Sequence, residues 1–270
     1  MQVEFEISSR TADTHISLRL DNEILHVAAQ NKFELVHIRK LFQSLLEPRH
    51  GSATTNNASS LPLQRRFEVN AQTFPGAPAV KAGGKFLSYG ELDHQADELA
   101  LHLQCRGLRP GSFCLVKLAP SLAEVRVILA ILKAGAAYVQ FDPHLAPQHE
   151  AVVIDVLEPS FLFVHENEAP RPESGKLQVV PCKDEAMELP YGWPDEAGIG
   201  PSTPACVLVF TALGEGVCIW MRTHKSLASP ERVLAKDSGT TGRQFPNAYP
   251  NPGDFWQVLS KGDLLTIPHA

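Results

Sequence analysis

From residue 78 to residue 182 the chain repeats one pattern: a short apolar run, then a longer segment with apolar residues on one face. Runs such as FCLVKL, AAYVQF and SFLFVH have the length and β-branched or aromatic content of strands, and several are apolar throughout, as strands covered on both faces are. Ser88 stands three residues before Glu91, and Ser121 three before Glu124, each at the head of a helical stripe. At that spacing the serine oxygen accepts from the third N–H of the helix and the glutamate bonds back, so both sites read as helix starts. Leu92, Ala96, Leu99 and Leu103 form the apolar face of the first helix; Gly107 ends it and Pro110 prevents its resumption. The second runs through Leu132 and ends at Gly135. A third, QHEAVVIDVLE, closes at Pro159, and CVLVF is a further strand. This alternation predicts an α/β fold: a parallel sheet with helices on both faces, built from right-handed βαβ units. In such sheets ligands sit beyond the carboxyl ends of the strands, which is where the turn after Phe210 lies.

The N-terminal part has a different texture. Val3, Phe5 and Ile7 alternate, as do Ile16, Leu18 and Leu20, with SSRTADT between them as turn residues, so a β-hairpin is expected. Asn31 and Glu34 then open a helical pattern through Phe33, Ile38, Leu41, Phe42 and Leu45, stopped by Pro48. The next stretch, RHGSATTNNASS, holds almost no apolar side chains and cannot offset its ordering entropy, so residues 49–62 read as a linker. A hairpin and one helix are too small to build a core, so residues 1–48 must dock on something.

Composition narrows the function. The formal net charge of −6 and the absence of a basic stripe argue against nucleic acid and against an anionic membrane surface. The longest greasy run, VRVILAILKAGAAYV, is broken by Lys133 and Gly135 and is too short to span a bilayer. Five cysteines occur, none in C-x-x-C spacing, which predicts reduced thiols rather than a metal site. MQVEFEISSR lacks the apolar segment of a signal peptide. A cytoplasmic location is expected.

The chemistry-bearing candidate is Val207–Leu227, VLVFTALGEGVCIWMRTHKSL. An apolar strand reaches Thr211 and then a turn containing Gly214 and Gly216. Glycines let backbone N–H groups approach a phosphate, and hydroxyls and a lysine complete such a site. Here there is no run of hydroxyls, and Glu215 stands between the glycines. A second candidate lies at Ser238, Gly239, Thr240, Thr241 and Gly242, a suitable run that neither follows a buried strand nor precedes a lysine; Arg243 is the nearest cation.

Three stretches together resemble the adenylate-forming domains of nonribosomal peptide synthetases. LSYGEL, Leu87–Leu92, resembles the family's LTYxEL; LKAGAAYVQFDP, Leu132–Pro143, resembles LKAGxAYVPxD; and FEVNAQTFPGAPAV resembles the start of such a domain. Order and spacing agree over roughly residues 63–165. The resemblance implies the N-terminal subdomain of that fold over residues 63–270, an ATP- and Mg²⁺-dependent activation of an amino or other carboxylic acid, and a carrier-domain partner. Residues 1–48 resemble the last strands and helix of a condensation domain, although its HHxxxD motif does not occur.

The family's third motif, YTSGSTGxPKG, aligns with Phe210, Thr211, Gly214 and Gly216, and HKSL at 224–227 with the His-Arg-Ser-Leu that follows. On that alignment Glu215 replaces the lysine and the hydroxyls are deleted; an alternative gap placement brings Cys218 or Ile219 there, and neither supplies a cation, so the loop is a vestigial phosphate site and no catalytic residue is assigned. Removing a single donor to a transition state costs about 2.7–4 kcal/mol. Two other family positions also depart: Ala248 stands where an aspartate often holds the substrate amine, and Glu150 where relatives usually carry arginine. The later motifs, including the lid with its lysine, are not found before Ala270. The expectation is a truncated, degenerate fragment that binds neither ATP nor Mg²⁺ well. Two alternatives remain: a non-catalytic docking partner of a megasynthase subunit or carrier domain, and an enzyme that uses Ser238–Gly242 and is completed by a second polypeptide.

Overall fold

The computed structural model describes residues 3–10, 13–20, 23–29, 61–141, 147–168, 177–185, 192, 194–195, 199–211, 216–228 and 252–267. Its strands are β1 (Val3–Arg10), β2 (Asp13–Leu20), β3 (Glu23–Ala29), β4 (Pro78–Ala82), β5 (Lys85–Ser88), β6 (Phe113–Lys117), β7 (Ala137–Phe141), β8 (Phe161–His165), β9 (Gln178–Cys182), β10 (Pro204–Thr211), β11 (Gly216–Thr223) and β12 (Leu265–Thr266). Its helices are α1 (Leu63–Thr73), α2 (Tyr89–Cys105), α3 (Leu122–Lys133), α4 (Pro147–Leu157), α5 (His224–Ala228) and α6 (Pro252–Lys261).

The expected α/β architecture is present, with a mixed rather than wholly parallel sheet. Nine strands run in the order β3-β2-β1-β11-β10-β7-β6-β8-β9. β10, β7, β6, β8 and β9 are mutually parallel. β11 returns antiparallel to β10 and carries β1 antiparallel on its other side. The strands around Gly83 and Gly84 leave this sheet: β4 and β5 form a hairpin that, with β12, makes a separate three-stranded sheet. Both glycines adopt positive φ, the conformation that a two-residue hairpin turn of this kind requires.

All twelve residues of α3 are buried. The helix packs against β6 and β7 on one side and against α1, α2 and β4 on the other. It is the centre of the molecule, which is why its sequence is apolar nearly all round. The capping box at the head of α2 forms in full: Ser88 Oγ accepts from Glu91 N–H, and the Glu91 carboxylate accepts from Ser88 N–H at 2.9 Å. At α3 only half of it forms. Ser121 accepts from Glu124 N–H, while the Glu124 carboxyl lies next to the Gln140 amide.

Gly135 has φ +78°, and a Cβ there would lie 3.1 Å from Pro110 Cβ and 3.2 Å from Ile199 Cγ1. The glycine of LKAGAAYV is therefore a helix terminator under a tight lid. Tyr138 of the same motif is buried on β7 and accepts a hydrogen bond from Trp256 Nε1 of α6 at 3.3 Å.

In the N-terminal segment the expected hairpin forms with its connection inside SSRTADT, though the strands reach further into it: β1 runs to Arg10 and β2 starts at Asp13, with Arg10 opposite Asp13. β3 follows as a third strand, and the meander docks on the edge of β11. The helical pattern of residues 31–48 lies outside the described residues, as does most of the expected linker.

Candidate functional site

The parallel strands β10, β7 and β6 end together at Thr211, Phe141 and Lys117, and the candidate site lies beyond those ends. Thr211 is the last residue of β10 and lies opposite Val217; Gly216 is the first of β11 and lies opposite Ser8. The two flank the turn, separated by four residues. Gly214 and Glu215 lie outside the described residues, as does the whole alternative run Ser238, Gly239, Thr240, Thr241 and Gly242.

The groups around the strand ends are largely committed to one another. Lys117 Nζ lies 2.6 Å from Glu150 Oε1 on α4. The residue standing where an arginine was expected therefore neutralises a lysine at the mouth of the sheet. Glu124 is 6% exposed, and burial pushes its carboxyl up to about 8. Gln140 Nε2 reaches Glu124 Oε1 at 3.5 Å. At neutral pH this carboxyl is mostly protonated and brings little negative charge to the strand ends. The N-terminus of α3 is closed from the side: Ala123 N–H donates to Asp184 Oδ1 at 3.0 Å, and the Arg126 guanidinium donates to the Lys183 carbonyl and to Gln95 Oε1. Of its first-turn donors, the Ala123, Glu124 and Val125 N–H groups are held by Asp184 and Ser121.

Two buried arrangements tie the scaffold together at the other end of the sheet, and neither was legible in the sequence. Lys133, 3% exposed by side chain, lies 2.6 Å from Asp97 Oδ1, 2.7 Å from Asp93 Oδ1 and 3.4 Å from Glu68 Oε1. Burial alone would lower its pKa, but Asp93, Asp97 and Glu68 together raise it, so the lysine of LKAGAAYV stays charged and ties α1, α2 and α3. The second is His224. It is fully buried, and its Nδ1 accepts from Leu63 N–H at 3.2 Å. Burial lowers its pKa to about 3. The ring is therefore neutral with its proton on Nε2, which has no hydrogen-bond partner among the described residues. Pro62 leaves α1 without a side-chain cap, and His224, at the end of the strand that leaves the turn, supplies one. The His of HKSL is thus a remote helix cap; nothing within the motif itself signals that role.

Among the described residues, no group of three or more His, Cys, Asp or Glu side chains is placed to hold a metal ion. Nor is any described helix long and apolar enough to cross a membrane.

The family model for AMP-binding enzymes matches residues 67–244. Among curated proteins, surfactin synthase subunit 2 of Bacillus subtilis is 43% identical over 101 residues, covering 37% of this chain and 3% of that protein. A dimodular nonribosomal peptide synthase of the same organism is 28% identical over 225 residues, covering 77% of this chain and 9% of its own. The chain thus spans a small fraction of these relatives. Two solved structures share the fold: the nonribosomal peptide synthetase FmoA3, at TM-score 0.61 and 20% identity over 93% of this chain and 30% of that one, and the NpsA N-terminal subdomain of Klebsiella oxytoca, at TM-score 0.59 and 19% identity over 80% and 55%.

Proposed function

Because the chain belongs to the AMP-binding enzyme family, we propose that it is an adenylation-type fragment of nonribosomal peptide synthesis that has lost its grip on the nucleotide phosphates. In this reading residues 1–48 are a condensation-domain remnant, 49–62 a linker and 63–270 a partial adenylation domain, in the cytoplasm. One observation carries the reading. β10 ends at Thr211 and β11 begins at Gly216, so four residues stand where the family motif has twice as many, including its serines, threonine and lysine. A turn of that length has room for neither the hydroxyl run nor the cation that opposes a triphosphate. The neighbouring Lys117 is held by Glu150. ATP and Mg²⁺ are what the family would bring here, and the sequence between Thr211 and Gly216 offers the phosphates no cation.

The test is calorimetry with MgATP on the full chain, together with pyrophosphate–ATP exchange in the presence of amino acids and aryl acids. The expected result is no micromolar binding and no exchange, with Glu215→Lys strengthening whatever weak binding exists. Micromolar binding and exchange by the unmodified chain would overturn the reading and favour an enzyme that uses Ser238–Gly242.

A non-catalytic role beside a megasynthase subunit or carrier domain is the second reading. It is supported by the retained scaffold, with α3 wholly buried and the Lys133 network intact, and by a solved relative that is an adenylation–PCP di-domain. Co-purification with a synthetase without exchange activity is its expected outcome.

A further inference from the structure

β11 is paired on both sides. β10 covers one, and β1 covers the other over six consecutive residues, from Val3 opposite Met221 to Ser8 opposite Gly216. β1 continues into β2 and β2 into β3 by antiparallel ladders, so the meander extends the sheet by three strands. Between Ala29 and Leu61 lie 31 residues, whose fully extended contour is about 100 Å at roughly 3.3–3.6 Å per residue. The covalent connection therefore does not force β1 onto β11; the backbone ladder does.

Without β1, β11 would be an edge strand beside the turn. Its sequence, GVCIWMRT, is rich in β-forming residues, contains no proline and carries its single charge at Arg222. Apart from Arg222, such a strand lacks the charges and prolines by which exposed edges are protected from pairing with another chain. β1, by contrast, carries Glu4, Glu6 and Arg10.

We propose that β1 is an internal donor strand: it fills the β11 edge within the same molecule and thereby blocks edge-to-edge association with a second copy of this chain. The role is independent of nucleotide handling, since it uses only backbone pairing at the far side of β11.

The register supplies the test. Glu6 lies opposite Cys218, so one substitution, Glu6→Cys in the full chain, sets a new thiol across from a native one. Directly opposed antiparallel residues have Cα atoms about 4.5–5.5 Å apart, within the span of about 4.4–6.8 Å that a disulfide bridges. With diamide as oxidant, which takes up the two thiol hydrogens, peptide mapping should show a 6–218 disulfide within one molecule. Phe5→Cys, opposite Ile219 and on the other face, should not form a bridge to residue 218. In the full chain, Ile7→Pro should raise amide exchange in residues 217–221 at least tenfold and produce a concentration-dependent dimer, while exchange in 92–103 and 125–132 stays unchanged. A missing 6–218 bridge, or one between molecules, would overturn the proposal. So would a monomeric Ile7→Pro variant. Should that variant disturb the helices as well, the comparison passes to the Glu6→Cys protein: locked by its disulfide it should stay monomeric at concentrations where the reduced form begins to associate, and equal association of the two forms would sink the idea.

Discussion

At the scale of single residues, two buried titratable groups pull stability in opposite directions along the pH axis. Glu124 has a folded pKa of about 8, above its ordinary 4.5, because burial disfavours the charged form. Its contribution is fully present below about 4.5 and is lost as pH rises through about 8. Glu124→Gln keeps the shape and removes the titration, so at pH 9 the variant should be more stable than the parent in urea unfolding, by a few kcal/mol at most. The gain should vanish near pH 5. His224 is the converse: its pKa falls from 6.5 to about 3 through burial. The stability it contributes is present above 6.5 and is lost as pH falls toward 3. His224→Phe fills the space but leaves Leu63 N–H without its acceptor, a loss of about 1–3 kcal/mol at pH 7.5. The same variant should show a flatter decline of stability between pH 6 and pH 4, read by the same titration.

At the scale of elements, what was legible in the sequence was local. Ser88 and Glu91 sit three residues apart and bond to each other, so the start of α2 needed nothing remote. Gly107 and Gly135 end their helices by a backbone conformation that glycine alone adopts freely, and both have positive φ. Gly135→Ala should cost roughly 1–2 kcal/mol for the left-handed conformation alone, and more if Pro110 cannot retreat from 3.1 Å. Thermal unfolding of the two proteins side by side measures it. What was not legible depended on distant partners. α1 hides its stripe of Leu63, Phe67 and Ala71 beside buried Gln64 and Glu68, and Glu68 is tolerated there because Lys133 faces it from α3. β11 is paired along both edges, by β10 and by β1, and the β1 partner comes from the far end of the sequence. SSRTADT holds the β1–β2 connection, but its outer residues Ser8–Arg10 and Asp13–Thr14 pair in the ladder, because a backbone ladder asks only for donors and acceptors, which polar residues supply equally well.

At the scale of the whole molecule, the motifs that carry the family resemblance build scaffold, whereas the proposed loss of the phosphate site falls between Thr211 and Gly216. LSYGEL and LKAGAAYV make a cap, a terminator, a buried ion network and a sheet strand, all of which the folded state needs whether or not a nucleotide ever binds. On the proposed reading a phosphate turn would serve only the ligand, and it is between Thr211 and Gly216 that the sequence departs from the family motif. Site legibility followed the same line. Thr211 and Gly216 flank the turn at the end of β10 and the start of β11, whereas Glu124 and Lys117 entered only through their neighbours in space.

The cap on α1 has a consequence in time as well as in space. Leu63 must wait for a ring that lies 161 positions further along the polypeptide. At ~5–20 residues per second, a ribosome takes about 8–32 s to make that stretch. For all of that interval the opening turn of the helix emerges into the cell with its first donor facing water, and the domain cannot fasten its own beginning until synthesis has passed the turn.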